Sequence, residues 1–272
     1  MKKRVITGLW SIPLLAAAVW FSRPEYPFPW FTVLMAIWGL LAVFEFYKLA
    51  AGAKLQPLAY FGLVWTVLFI ISPHFNDDFL RLTGQHLMLL LLTSAVVLPL
   101  LWLLGRPKKE GAFLSWAWTL AGILYIGWLL SYLVALRGLD DGRNWVFLAL
   151  ATNFGGDTSA FFVGRALGRH KLAPNISPGK TWEGTIAGVF GAIIVSLLFT
   201  MLIPISYAQA IVLGLLVSIF GQAGDLVESL LKRNMKAKDS GRLLPGHGGF
   251  LDRIDSVVFA GVVVYYYAIW AI

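Results

Sequence analysis

Apolar runs of about 20 residues recur along the 272-residue chain with short polar breaks between them, which is the length a helix needs to cross a hydrocarbon layer. The pattern predicts nine membrane-spanning helices, near 5–22, 28–49, 55–72, 85–104, 112–136, 144–163, 183–205, 208–230 and 251–271. The sixth and eighth carry polar residues within the apolar run. The connections are too short for a separate soluble domain, so the expected fold is an all-α polytopic membrane protein made of a single membrane domain, 1–272. Within it, 1–140 reads as a helical scaffold and 141–272 as the part that brings polar chemistry into the spans.

Composition agrees and adds an orientation. Mean hydropathy is +0.75 and only 13% of residues are charged, values that exclude an ordinary soluble α/β enzyme. With the N-terminus placed in the cytoplasm, eighteen of the 22 Lys and Arg fall in inner segments and four (Arg23, Arg81, Arg137 and Arg143) in outer ones. That bias predicts N-terminus in and C-terminus out. The formal charge of +8 is explained by topology, so it argues for anionic lipid rather than nucleic acid as partner. The absence of cysteine excludes disulfides, thiolate metal sites and Cys nucleophiles. The opening MKKRVITGLWSIPLLAAAVWF has a basic start, yet its apolar run continues into bulky Val19, Trp20 and Phe21, so a first span is expected rather than a cleaved signal.

Little in the first half suggests chemistry. Aromatic residues such as Tyr26, Phe28, Trp30 and Phe31 sit near a span end, as in an interfacial belt. Glu45, with Lys48 three residues on, reads as an ion pair on a helix surface. His74 and His86 flank Asp77, Asp78 and Arg81 in a spacing that matches no zinc site, which suggests a solvated cap.

The second half differs. Asp157 follows two glycines inside the sixth span, and a lone intramembrane carboxylate points to function. The GKT at 179–181 is not a P-loop, because Pro174 stands where a glycine is required and no strand precedes it. Ser177, Lys180 and Thr181 instead lie beside an expected helix start, where free N–H groups favour an anion such as phosphate, although a merely topogenic basic loop would look the same. Gly184 and Gly188 form a small-xxx-small pair that serves packing within a monomer or between copies. Asp225, Glu228, Ser229 and Lys232 share one helix face. Asp225 lies deepest and reads as a metal or substrate ligand, whereas Glu228 is open between ligand and structural partner. Asp252 and Asp255 open the last span. Carboxylates there gain from the helix dipole, and hard oxygens from two helices also suit a magnesium ion with a triphosphate. His247, between two glycines, is open between base, phosphate contact and loop former.

From Ser229 to Asp255 the chain reads SLLKRNMKAKDSGRLLPGHGGFLDRID, the most charge-dense stretch of the molecule. At every specified position it resembles the signature of the phosphatidate cytidylyltransferases, or CDP-diacylglycerol synthases, and DTSAFFVGRALGRHKLAPNISPGKTWEG resembles the family's second shared block. The resemblance is sharp over 157–255 and generic before that. It implies a magnesium-dependent transfer of CMP from CTP to phosphatidate, in a dimeric enzyme of the bacterial inner membrane with its site facing the cytoplasm. On this reading Asp225 and Asp252, assisted by Asp157 or Asp255, hold one or two cations. Lys180, Lys232, Arg233, Lys238 and Arg253 contact phosphates, Ser177, Thr181 and Ser229 donate hydroxyls, Asp239 orients a base or meets the nucleotide, and His247 is a substrate-binding residue. The competing classes are a transporter, which predicts charges reaching both faces, and an enzyme using CTP on another lipid acceptor. The pattern of CDP-alcohol phosphotransferases, D-G-x2-A-R-x8-G-x3-D-x3-D, is absent.

Overall fold

Nearly every apolar run folds as a helix, because in an apolar medium the backbone must satisfy its own hydrogen bonds. The computed structural model describes residues 13–22, 29–75, 84–107, 110–241 and 248–271. The chain divides into two units, Met1–Gly138 with Met235–Leu251, and Leu139–Asn234 with Asp252–Ile272.

In the first unit, α1 is described over 13–21. It is followed by α2 (Trp30–Gly52), α3 (Ala59–Ile71) with a 3-10 turn at Ser72–His74, and α4 (Gly84–Leu104). Next, α5 (Ala112–Gly122) and α6 (Leu129–Arg137) are joined by a π-helical stretch, Ile123–Trp128, into one rod. Phe31, Met35, Phe69, Ile70, Ile123, Ile126, Leu130 and Leu133 are buried here. Some of the buried polar groups among them are paired with one another. Tyr47 donates to the Thr119 carbonyl (2.7 Å), and the Thr119 hydroxyl accepts from the Leu58 N–H (2.7 Å). His74 is exposed and bonds Thr32 of α2, while Asp77, Asp78 and Arg81 lie outside the described residues.

The second unit contains α7 (Gly142–Leu167), a hairpin of β1 (Lys171–Ala173) and β2 (Ser177–Thr181), α8 (Trp182–Leu198), α9 (Tyr207–Asn234) and α10 (Leu251–Trp270). The strands are antiparallel, with Lys171 opposite Thr181 and Ala173 opposite Ser177. α7 and α9 run unbroken through the polar residues that interrupt their apolar patterns. α8 lies against α7 through small residues. A Cβ on Gly188 would come within 3.1 Å of Ala160 Cβ and 3.2 Å of the Gly156 carbonyl, so this glycine serves packing within the unit. The opposite face of α8 exposes Trp182, Ile186, Phe190, Ile194 and Leu198 at four-residue intervals, an apolar stripe suited to lipid.

Among the described residues, seven helices are long and apolar enough to cross a membrane: Trp30–Gly52, His86–Leu104, Ala112–Arg137, Gly142–Leu167, Trp182–Met201, Tyr207–Asn234 and Leu251–Trp270. The third predicted span is apolar but shorter, Ala59–His74, and the first begins outside the described residues.

Replacing Gly188 with Leu should lower the unfolding temperature of the detergent-purified protein, overpacking of this kind costing about 1–3 kcal/mol. Ile186→Leu, on the exposed face of the same helix, should leave it unchanged. Equal melting of both variants and wild type would refute the packing role of Gly188.

Candidate active site

The polar residues of the second unit converge from four elements. Thr181 ends the hairpin and caps α8, its hydroxyl accepting from the Gly184 N–H at 3.2 Å. The hairpin is held to that helix start by Glu183, which receives the His170 N–H at 3.2 Å and meets His170 Nδ1 at 2.7 Å. Lys180 is thereby directed at α9. Its Nζ pairs with an Asp225 carboxylate oxygen at 2.9 Å and donates to the Gln222 carbonyl at 3.2 Å.

On α9 the predicted face is present. Ser229 donates to Asp225 Oδ1 (3.3 Å), and Lys232 pairs with Glu228, four residues back. Lys232 also reaches α10, donating to Asp252 Oδ1 at 2.5 Å. The approach of α9 and α10 depends on Gly224, where a Cβ would sit 2.5 Å from the Asp255 carbonyl and 2.7 Å from the Phe259 ring. One residue on from that contact stands Asp225.

Asp225, Glu228 and Asp255 each offer a carboxylate oxygen, all within 4.8 Å of one another. Oxygens on opposite sides of a bound cation lie about 4.2 Å apart for magnesium and about 5 Å apart for calcium, so the spacing and the hard donor set both fit a divalent ion. Glu228 is fully buried, and its Oε1 accepts no hydrogen bond from a described residue. Asp157 and Asp252 lie close to this group, and Lys180 and Lys232 pair with its members.

Asp157, on α7, joins this group through a hydrogen-bonded link. Asn153 donates to Ser256 Oγ at 2.9 Å and to Asp157 Oδ2 at 3.4 Å, and Ser256 Oγ also donates to Asp157 Oδ2 at 3.4 Å. The Ser256 N–H in turn bonds Asp255 Oδ1 at 2.7 Å. Asn153, Ser256 and Glu183 are residues that sequence reasoning missed. The signal for Asn153 was available, since it lies one helical turn before Asp157 on a buried face.

The other predicted residues fall in different places. Arg233 Nε donates to the Ile176 carbonyl in the hairpin turn (3.1 Å), and Ser177 is half-buried in β2. Asp252 is engaged by Lys232, so Asp255 rather than Asp252 is the α10 carboxylate grouped with Asp225. Arg253 is exposed. Lys238 and Asp239 are exposed in the 235–251 segment of the first unit, and His247 lies outside the described residues.

Comparison with known proteins matches residues 2–270 to the cytidylyltransferase family. The chain is 34% identical to the phosphatidate cytidylyltransferase of Bacillus subtilis (strain 168), over 98% of this chain and 97% of that one. It is 37% identical to the protein of the same name from Brucella abortus biovar 1 (strain 9-941), over 86% and 83% of the two chains. Against that of Synechocystis sp. (strain ATCC 27184 / PCC 6803 / Kazusa) the identity is 32%, over 88% of each. With a match across nearly its whole length and apolar helices throughout, the chain belongs to the cytidylyltransferase family, as a membrane-embedded, CTP-dependent nucleotidyltransferase.

Proposed function

We propose that the protein transfers CMP from CTP to phosphatidate, producing CDP-diacylglycerol and diphosphate. The observation that carries this reading is the group Asp225, Glu228 and Asp255, flanked by Lys180 and Lys232, within the stretch 157–255 over which the chain resembles the phosphatidate enzymes. In the reaction an oxygen of the lipid phosphate forms a bond to the α-phosphorus of CTP, and the bond from that phosphorus to the β-bridging oxygen breaks. The electron pair leaves on diphosphate. The attacking oxygen is already anionic, so no proton need be removed, and positioning with charge neutralisation carries the rate.

Asp225, Glu228 and Asp255 would hold a divalent cation, with Asp157 close by and Asp252 completing the site. When bound, that ion supplies positive charge to the departing diphosphate. Lys180 and Lys232, released from their carboxylates as substrate enters, neutralise phosphate oxygens, and Thr181 and Ser229 orient them. Ser177 and Arg233 shape the hairpin beside the site, while Lys238, Asp239, His247 and Arg253 contribute from the rest of the signature.

The wider reading retains nine spans, with N-terminus in, C-terminus out and the site on the cytoplasmic side of a bacterial inner membrane. It is supported by the positive charges gathered in the inner segments. The chain acts as one membrane domain and as a homodimer, with no nucleic-acid partner.

Purified enzyme given labelled CTP, magnesium and phosphatidate in detergent should yield a lipid-soluble cytidine product together with diphosphate. Asp225→Asn and Asp255→Asn should each lower kcat by at least about a hundredfold, the scale expected when transition-state charge loses its partner. Either variant retaining more than about a tenth of wild-type activity would remove that residue from the role. Chelation should abolish turnover and added magnesium restore it, whereas activity that survives EDTA would exclude the divalent requirement. Lys180→Ala should raise KM for CTP about tenfold or more, and an unchanged KM would show that Lys180 serves Asp225 alone.

A further inference from the structure

Glu45 reads from sequence as the partner of Lys48, and no ion pair joins them in the structure. Its carboxylate is turned instead toward the signature segment, and it is only 1% exposed. Oε2 accepts from the Ser240 hydroxyl at 3.3 Å, the Phe250 N–H at 2.5 Å and the Leu251 N–H at 3.0 Å. All of these residues belong to the first unit.

The seat is shaped for this side chain. A Cβ on Gly241 would overlap Glu45 Oε1 and lie 2.6 Å from its Cδ, and a Cβ on Gly249 would overlap Ser240 Oγ and lie 2.5 Å from Glu45 Oε2. Seven residues before Glu45, on the same face of α2, Trp38 meets the Phe250 ring edge-on at a centroid distance of 5.4 Å. One helix face thus holds both the side chain and the backbone of Phe250. Burying a carboxylate is costly unless donors meet it, and here they come from both ends of the stretch 240–251.

Two of those donors are the N–H groups at the start of α10, which have no partner within their own helix. Glu45 supplies the cap from about two hundred residues away, a separation of 205 residues to Phe250. The peptide it grips is followed directly in the chain by Asp252, and one turn later by Asp255. A carboxylate on the scaffold helix therefore fixes the backbone at Phe250 and Leu251, the two residues that precede Asp252 in the chain.

We propose that Glu45 is a positioning residue for nucleotidyl transfer, acting by capping α10 and clasping Ser240 together with the Phe250–Leu251 backbone inside the signature segment. This rests on the activity proposed above. It does not touch substrate, so its removal should disturb geometry more than binding.

The test combines amide hydrogen exchange with kinetics on the full-length protein in detergent. In Glu45→Ala the amides of 249–251 should exchange at least about tenfold faster, and kcat should fall by about thirtyfold or more with KM for CTP within about threefold, since misplacement acts on the reacting geometry. Glu45→Gln keeps an acceptor oxygen, so it should recover kcat to within about fivefold of wild type. Gly241→Ala leaves the acid in place but drives it from its seat, and it should behave like Glu45→Ala even where that variant is hard to purify. Unchanged exchange at 249–251, or a lowered unfolding temperature with normal kcat, would overturn the proposal. A glutamine variant as impaired as alanine would also count against capping and in favour of a charge role. If wild type makes no product from CTP and phosphatidate, the activity reading falls and takes the catalytic half of this one with it. The exchange contrast would still decide whether the cap exists.

Discussion

A carboxylate carried on an otherwise apolar helix must find a cation or a set of donors, and this requirement organises the second unit. Asp225 is met by Lys180 and Ser229, Glu228 and Asp252 by Lys232, and Asp157 by Asn153 and Ser256. Each of these ties joins one element to another or one helical turn to the next. The acids that prepare the chain for chemistry are also the polar cross-links between α7, the hairpin, α9 and α10. Asp225 and Glu228, which take part in these ties, also form with Asp255 a group that could hold a divalent ion.

Helix packing sets the distances over which these ties operate. Gly224 permits the close approach of α9 to the backbone at Asp255, so two acids on different helices come into one group. The small residues of α7 and α8 do the same on the other side, and the hairpin at the start of α8 then needs only a few residues to deliver Lys180. Larger residues at these seams would separate the polar groups before altering any of them. Lys232 shows the reverse influence, of charge on structure. It and Arg233 extend α9 to Asn234, beyond the 208–230 expected from hydropathy, because the lysine is paired with an acid one turn earlier on the same helix.

What could be read in the sequence followed from local periodicity and from the signature. The apolar runs locate the helices within a few residues, and the shared face of Asp225, Glu228, Ser229 and Lys232 is present as the spacing requires. The cap by Thr181 was foreshadowed by the expected helix start. The missed features are non-local. The β1–β2 hairpin has only eight strand residues around a Pro-Asn turn and no alternating pattern, so it reads as loop. The pairing of Glu183 with His170 depends on that hairpin, and the role of Glu45 depends on a contact 205 residues away. Lys48 was the nearer partner in sequence, but an exposed ion pair is worth little, whereas an otherwise orphaned pair of helix N–H groups gives a buried carboxylate a stronger reason to turn inward. Which α10 acid groups with Asp225 was equally out of reach, because it turns on how α9 and α10 approach each other at Gly224.

The distribution of residue types also constrains the chemistry. Histidine, the usual proton carrier near neutral pH, is absent from the described carboxylate group, and the one histidine of the hairpin is engaged by Glu183. A hydroxyl nucleophile needs a base to take its proton. A phosphate monoester needs none, because it arrives ionised and its attack on another phosphate is opposed mainly by charge repulsion. Lys180 and Lys232, each held on an acid, bring positive charge to this group of carboxylates. A buried polar site in a membrane protein is tolerable on that condition, because each charge taken out of water is met by an opposite one.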